Sequence, residues 1–147
     1  MTISALITLM HRDLGRLKNE LESYNDEANL WKLDGDLSNT AGNLALHLVG
    51  NLNHFIGAQL GNTGYVRDRP AEFADTNVPR SEIIAGIDAA AEMIGEALGG
   101  MSPEDMGKEY PLEIFGKKHR TGDFLMHLYG HLNYHLGQIN YHRRLLD

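Results

Sequence analysis

Cysteine is absent from the 147 residues. Disulfides, thiolate zinc sites and a protein-borne thiol nucleophile are thereby excluded. A metal would have only His, carboxylate or water as ligands, and any thiol chemistry must come from a substrate. The lack of Cys does not by itself fix the compartment. Positive charge is also scarce: 13 Lys+Arg stand against 20 Asp+Glu, for a formal charge of −7. A nucleic-acid binder needs a basic surface to neutralise phosphates, so nucleic acid is not an expected partner. No apolar run approaches the roughly 18 residues of a membrane span. The opening MTISALITLMHRDLGRL has no basic leader, and its apolar pattern runs on through His11 and Arg12. It reads as an amphipathic helix and not as a signal peptide. The expected location is cytoplasmic.

What is present is enough for one domain over residues 1–147, because a hydrophobic content of 42% can build a single core. Four segments carry helical periodicity. The first places Ile3, Leu6, Ile7, Met10, Leu14, Leu17 and Leu21 on one side and stops in SYNDE. The second starts after Ser38 or Asn39, either a good N-cap, and runs to about Gly61. The third follows Pro79 and Ser81, turns Ile83, Ile87, Ala90, Ile94 and Leu98 inward, and stops at Gly99-Gly100. The fourth starts near Thr121 and runs to Leu146. This pattern predicts an all-α four-helix bundle. Two connections, residues 62 to 80 and 99 to 121, are long enough to suggest function, and EYPLEIFGKKHR within the second has hairpin character.

Histidine is concentrated on the fourth segment, at 127, 131, 135 and 142 in HLYGHLNYHLGQINYH. At roughly 100° per residue these four and Gln138 form one stripe about 80° wide. It borders the apolar arc of Leu125, Leu128, Leu132, Leu136 and Ile139. The second helix repeats the plan, with His47, Asn51, His54 and Ala58 beside Leu44, Leu48, Leu52 and Phe55. The stretches HLVGNLNHFIG and HLYGHLNYHLG agree at six of eleven positions, a sign of a duplicated helix pair or of a shared packing demand. Each has two glycines on one face (Gly50 and Gly57, Gly130 and Gly137), which suggests close approach of another backbone.

Imidazoles one turn apart on a helix can converge on one ion. Zincin chemistry needs Glu directly after the first His, and Leu132 stands there. Di-iron bundles use Glu-x-x-His, which occurs nowhere in the chain, and the stripes offer no inward carboxylate. A mononuclear nitrogen site remains, with His131 and His135 as two ligands and His47 as the best-placed third. His127 is an alternative ligand, or a base or ligand-orienting group positioned by Asp123. His54 reads as core or site wall, His11 and His119 as surface residues, and His142 as solvated. Arg67 and Arg69 either face an anionic substrate or satisfy themselves in salt bridges; the second is the expectation. Lys117, Lys118, His119 and Arg120 read as a solvated turn.

With the motifs LHLVGNLNHF and GHLNYHLGQI, the latter continuing into NYHRRLL, the chain resembles the DinB-like (YfiT-like) superfamily of metal-dependent enzymes over nearly its whole length. Residue by residue, the resemblance implies His47, His131 and His135 as metal ligands, the same three that the helical geometry picks. It implies a homodimer and a divalent ion, zinc or nickel. Relatives include transferases and isomerases that use a low-molecular-weight thiol such as bacillithiol or mycothiol, and others described as hydrolases; the closest likeness is to an uncharacterised bacterial branch. The expectation is a thiol S-transferase or hydrolase in which three His hold an ion that activates a thiol or water. A non-catalytic metal-binding or sensing protein is the alternative, and a metal-free structural bundle the third reading.

Overall fold

A computed structural model describes all residues, 1–147. The chain is all-helical, with five α-helices. Helix α1 (Ile3–Glu22) starts where the Thr2 hydroxyl accepts from the amide of Ala5. Helix α2 (Ala41–Leu52) is capped by Thr40, which accepts from Asn43 N, one residue beyond the expected Ser38 or Asn39. It continues through a π-helical turn over Asn53–Ala58. Helix α3 (Arg69–Ala74) lies in a segment where the periodicity predicts no helix. Helices α4 (Arg80–Gly99) and α5 (Thr121–Leu146) lie where it does predict them.

The four longer helices form a ring in which α1 and α2 each pack against both α4 and α5. One apolar cluster of 25 buried residues draws on all four, so there is one core. Leu6, Met10, Leu14, Leu17 and Leu21 of α1 are buried, and so are Ile83, Ile87, Ala90, Ile94 and Leu98 of α4. Ile3 and Ile7, expected in the core, are only partly covered. Asp13 is fully buried on α1. Its carboxylate accepts from Arg12 Nε, Arg16 Nη1, Tyr129 Oη and Asn133 Nδ2 at 2.8 to 3.1 Å. Two of these donors stand on α5, so the network fixes the rotation of α5 about its own axis.

The long connections divide in character. Residues 62 to 80 fold α3 onto α2. The later one closes on itself: Glu109 pairs with Arg120 and Ile114 with Lys117, the expected hairpin reduced to isolated bridges. Its tip is Phe115-Gly116, both at positive φ (54° and 72°). The hairpin is fastened to the core by Tyr110, whose hydroxyl donates to Phe55 O. No helix is long and apolar enough to cross a membrane.

Candidate metal centre

α2 supplies one histidine and α5 two. α2 is enclosed by α3, α4 and α5, which buries ten of its twelve residues, its polar stripe included. His47 is therefore only 6% exposed. His131 and His135, one turn apart on α5, are half-buried. His131 Nε2 lies 3.1 Å from His47 Nε2 and 3.1 Å from His135 Nε2. The candidate ligand atoms of all three fall within 4.8 Å of one another. The structure thus brings together the three residues expected as ligands.

The far sides of His135 and His47 are engaged. His135 Nδ1 lies 2.6 Å from Gln138 Oε1, a carbonyl that only accepts, so Nδ1 carries the proton and the Nε2 lone pair points inward. His47 Nδ1 lies 2.9 Å from Glu72 Oε1. Arg67 donates Nε to Glu72 Oε2 and Nη2 to Oε1, each at 2.8 Å. Glu72 is 6% exposed. Phe73 beside it packs its ring on His47 at a centroid distance of 4.8 Å.

This donor set fits a divalent metal. A ligating imidazole must be neutral, and burial pushes the pKa of all three down. For His131, burial followed by the neighbouring His135 and His47 brings it to about 4. Metal–nitrogen bonds of about 2.0–2.1 Å separate tetrahedral ligand atoms by roughly 3.3 Å, close to the two 3.1 Å separations found here. Only two buried side-chain polar atoms in the protein lack a hydrogen-bond partner, Asn51 Oδ1 and His131 Nδ1. One belongs to His131 and the other lies one turn along α2 from His47, so unmet polar capacity is confined to the three-histidine group and its neighbour. Two clefts of about 680 and 700 Å³ have no histidine in their lining.

The remaining histidines stand apart. His127 is exposed and stacks on Phe124 at 5.7 Å, its ring 6.5 Å from that of His131. Asp123 does not orient it, since that carboxylate pairs with Arg120. His54 is half-buried, edge-on to Phe55, with its pKa lowered by burial and then by Arg67. His11 is exposed as expected, and its Nε2 donates to Ala91 O. His119 is half-buried, with Nε2 on Ile114 O. His142 corrects the expectation of a solvated residue. It is 5% exposed, accepts from Tyr24 Oη at Nδ1 and donates from Nε2 to Lys32 O. The segment after α1 folds back over the end of α5 and covers it.

Arg67 satisfies itself in a salt bridge, as expected, and Arg69 does not. Arg69 lies over the Phe73 ring at 5.2 Å and has no carboxylate partner. Glu72 escapes the sequence reading. Its helix is six residues long, below the reach of periodicity, but a signal is present. Asp68 followed by Pro70 is an N-cap and a helix-starting proline, and Glu72 comes one turn after that cap.

A family model described as "Protein of unknown function (DUF1572)" matches residues 7–147. The chain belongs to the DUF1572 family. No curated protein matches it. The match covers α2, α3 and α5, the elements that build the site, in full.

Proposed function

We propose that this DUF1572 protein is a DinB-like four-helix-bundle enzyme in which His47, His131 and His135 hold a divalent ion, zinc or nickel. The observation that carries the reading is the convergence of three neutral imidazoles through Nε2. Bound there, such an ion lowers the pKa of a thiol or of water and makes it a nucleophile at neutral pH. The thiol has to be a low-molecular-weight cosubstrate, because the chain has no cysteine. Three protein ligands without a fourth support a reactive centre over a closed structural one. Two of them are half-exposed, which leaves room for a substrate to approach. Arg69, free of ion pairs and stacked on the Phe73 ring that touches His47, is the group placed to meet an anionic substituent. A cytoplasmic location and a homodimer belong to the same proposal. The exposed side of α5, with Met126, Tyr134 and Tyr141 around the unobstructed Gly130 and Gly137, is the face offered to a second copy.

Elemental analysis of tag-free protein beside His131→Ala tests this. One divalent ion per chain, lost in the variant, is the expected result, and transfer and hydrolysis assays with a small thiol or water then follow. A His131→Ala protein that binds zinc and nickel as the parent does would overturn the ligand assignment.

A further inference from the structure

A histidine ligand works only if the ring nitrogen facing the ion is unprotonated. His47 sits on a helix that packs against three others, so its ring orientation is fixed, but packing alone does not choose the tautomer. The polar surroundings of Nδ1 do. Glu72 Oε1 is 2.9 Å away. Arg67 Nη2 lies 3.3 Å from the same nitrogen while donating to Oε1 at 2.8 Å. A carboxylate paired to a guanidinium accepts and cannot donate. The shorter contact therefore puts the proton on Nδ1.

The carboxylate reaches that position because α2 has no side chain at Gly50. A Cβ there would overlap the Glu72 carboxylate, lying 2.6 Å from its Cδ and closer still to Oε2. At Gly130, the matching position of the similar stretch on α5, a Cβ would meet nothing within 4 Å. The gap at Gly50 is thus specific to the helix whose histidine is paired with a carboxylate. A buried carboxylate is costly unless it is paired, and Arg67, itself only 11% exposed, grips both oxygens.

We propose that Glu72 is a positioning residue for the metal centre: held by Arg67 and admitted by Gly50, it fixes His47 as the Nδ1–H tautomer and turns the Nε2 lone pair toward His131 and His135. The segment 67–72 is then part of the site although it contributes no ligand. The metal half of the test rests on the three-His reading, and the tautomer half does not.

Two-bond proton–nitrogen correlation spectra of metal-free, nitrogen-15-labelled protein report which ring nitrogen of His47 carries the proton. The wild type is expected to show Nδ1–H. Glu72→Ala and Gly50→Ala are expected to move His47 toward Nε2–H, whereas Glu72→Gln keeps Nδ1–H because its amide oxygen still accepts. Should Glu72→Ala lose its fold, Gly50→Ala carries the same test with a better helix former and no change of charge. Competition of zinc or nickel against a chromophoric chelator gives the second readout. Loss of such an outer partner weakens metal binding about 10- to 100-fold, and that loss is expected for the Ala variants at both positions. An Nε2–H tautomer in the wild type, or Ala variants with unchanged tautomer, would overturn the role of Glu72. If neither metal binds the wild type, the metal-centre reading falls, and the tautomer spectra still decide what Glu72 does.

Discussion

Replacing Asp13 by Asn should cost stability in a way that depends on pH, and the structure gives the size. The carboxylate is completely buried, so its ordinary tendency is toward a raised pKa. Hydrogen bonds from Arg12, Tyr129 and Asn133 outweigh that burial and hold it at about 2 against an ordinary 3.8. A depressed carboxylate contributes stability that is present above the unfolded pKa and lost as pH falls toward the folded one. At about 1.4 kcal/mol per pH unit, the difference amounts to about 2 kcal/mol, present above about pH 4 and gone near about pH 2. The arginines limit the damage, because their side chains are 46% and 58% exposed and can return to water. Tyr129 Oη and Asn133 Nδ2 both donate to Oδ2, where an amide oxygen still accepts from them, but the amide nitrogen then stands at Oδ1 facing Arg12 Nε and Arg16 Nη1, two donors with nothing to accept them. A total cost of about 2–3 kcal/mol at neutral pH follows. Urea unfolding of wild type and Asp13→Asn, taken from neutral pH down to about pH 2, isolates this carboxylate from every other acid in the chain. The gap between the two proteins should close by about 2 kcal/mol over that range. A gap that is constant with pH would refute the argument, because the carboxylate's charge would then contribute nothing.

Two further substitutions probe a local rule that is broken and a contact that sequence does not announce. Phe115 is 75% exposed and sits at positive φ in a turn where Asn-Gly is the favoured pair, so Phe115→Asn should raise thermal stability by about 1 kcal/mol, read as an upward shift in Tm. His142→Phe leaves the Tyr24 hydroxyl and the Lys32 carbonyl without their partner; a loss of about 2–3 kcal/mol in urea unfolding is expected, and a neutral result would mean that the end of α5 is not held by this contact.

The long helices were legible because each carries a full apolar stripe. Leu125, Leu128, Leu132, Leu136 and Ile139 recur at helical spacing, and all are buried. The convergence of His47, His131 and His135 was legible for the same reason, since those positions lie beside the leucine stripes that meet in the core. What failed depends on contacts between distant segments. Nothing near His142 announces that Tyr24 and Lys32 will close over it, so His142, close to the end of α5, read as solvated. Asp13 looks like any polar residue of α1 until Tyr129 and Asn133 arrive from 116 and 120 residues away. Glu72 stands in a stretch too short for periodicity, and its importance arises only when that stretch folds against α2.

The likeness between HLVGNLNHFIG and HLYGHLNYHLG takes on a different meaning once the site is assembled. His47 and His127 occupy the same place in the two stretches, yet one is a buried member of the three-histidine group and the other is exposed. His131 and His135 match Asn51 on α2 and Phe55 in the π-helical turn after it instead. A duplicated histidine set would have placed equivalent residues together at the centre, and the structure does not. The leucines that do correspond, Leu48 with Leu128 and Leu52 with Leu132, are all buried in the shared core. Packing is therefore what the two stretches have in common, because each helix turns its leucines into the same apolar cluster. The glycines divide along the line between the two helices. Gly50 makes room for a carboxylate and Gly57 for Met93 and Thr63, while Gly130 and Gly137 face open space. One helix uses its bare face to admit α3 and the group that orients its histidine. The other keeps that face bare, among the exposed Met126, Tyr134 and Tyr141, so the shared glycine spacing serves two different ends.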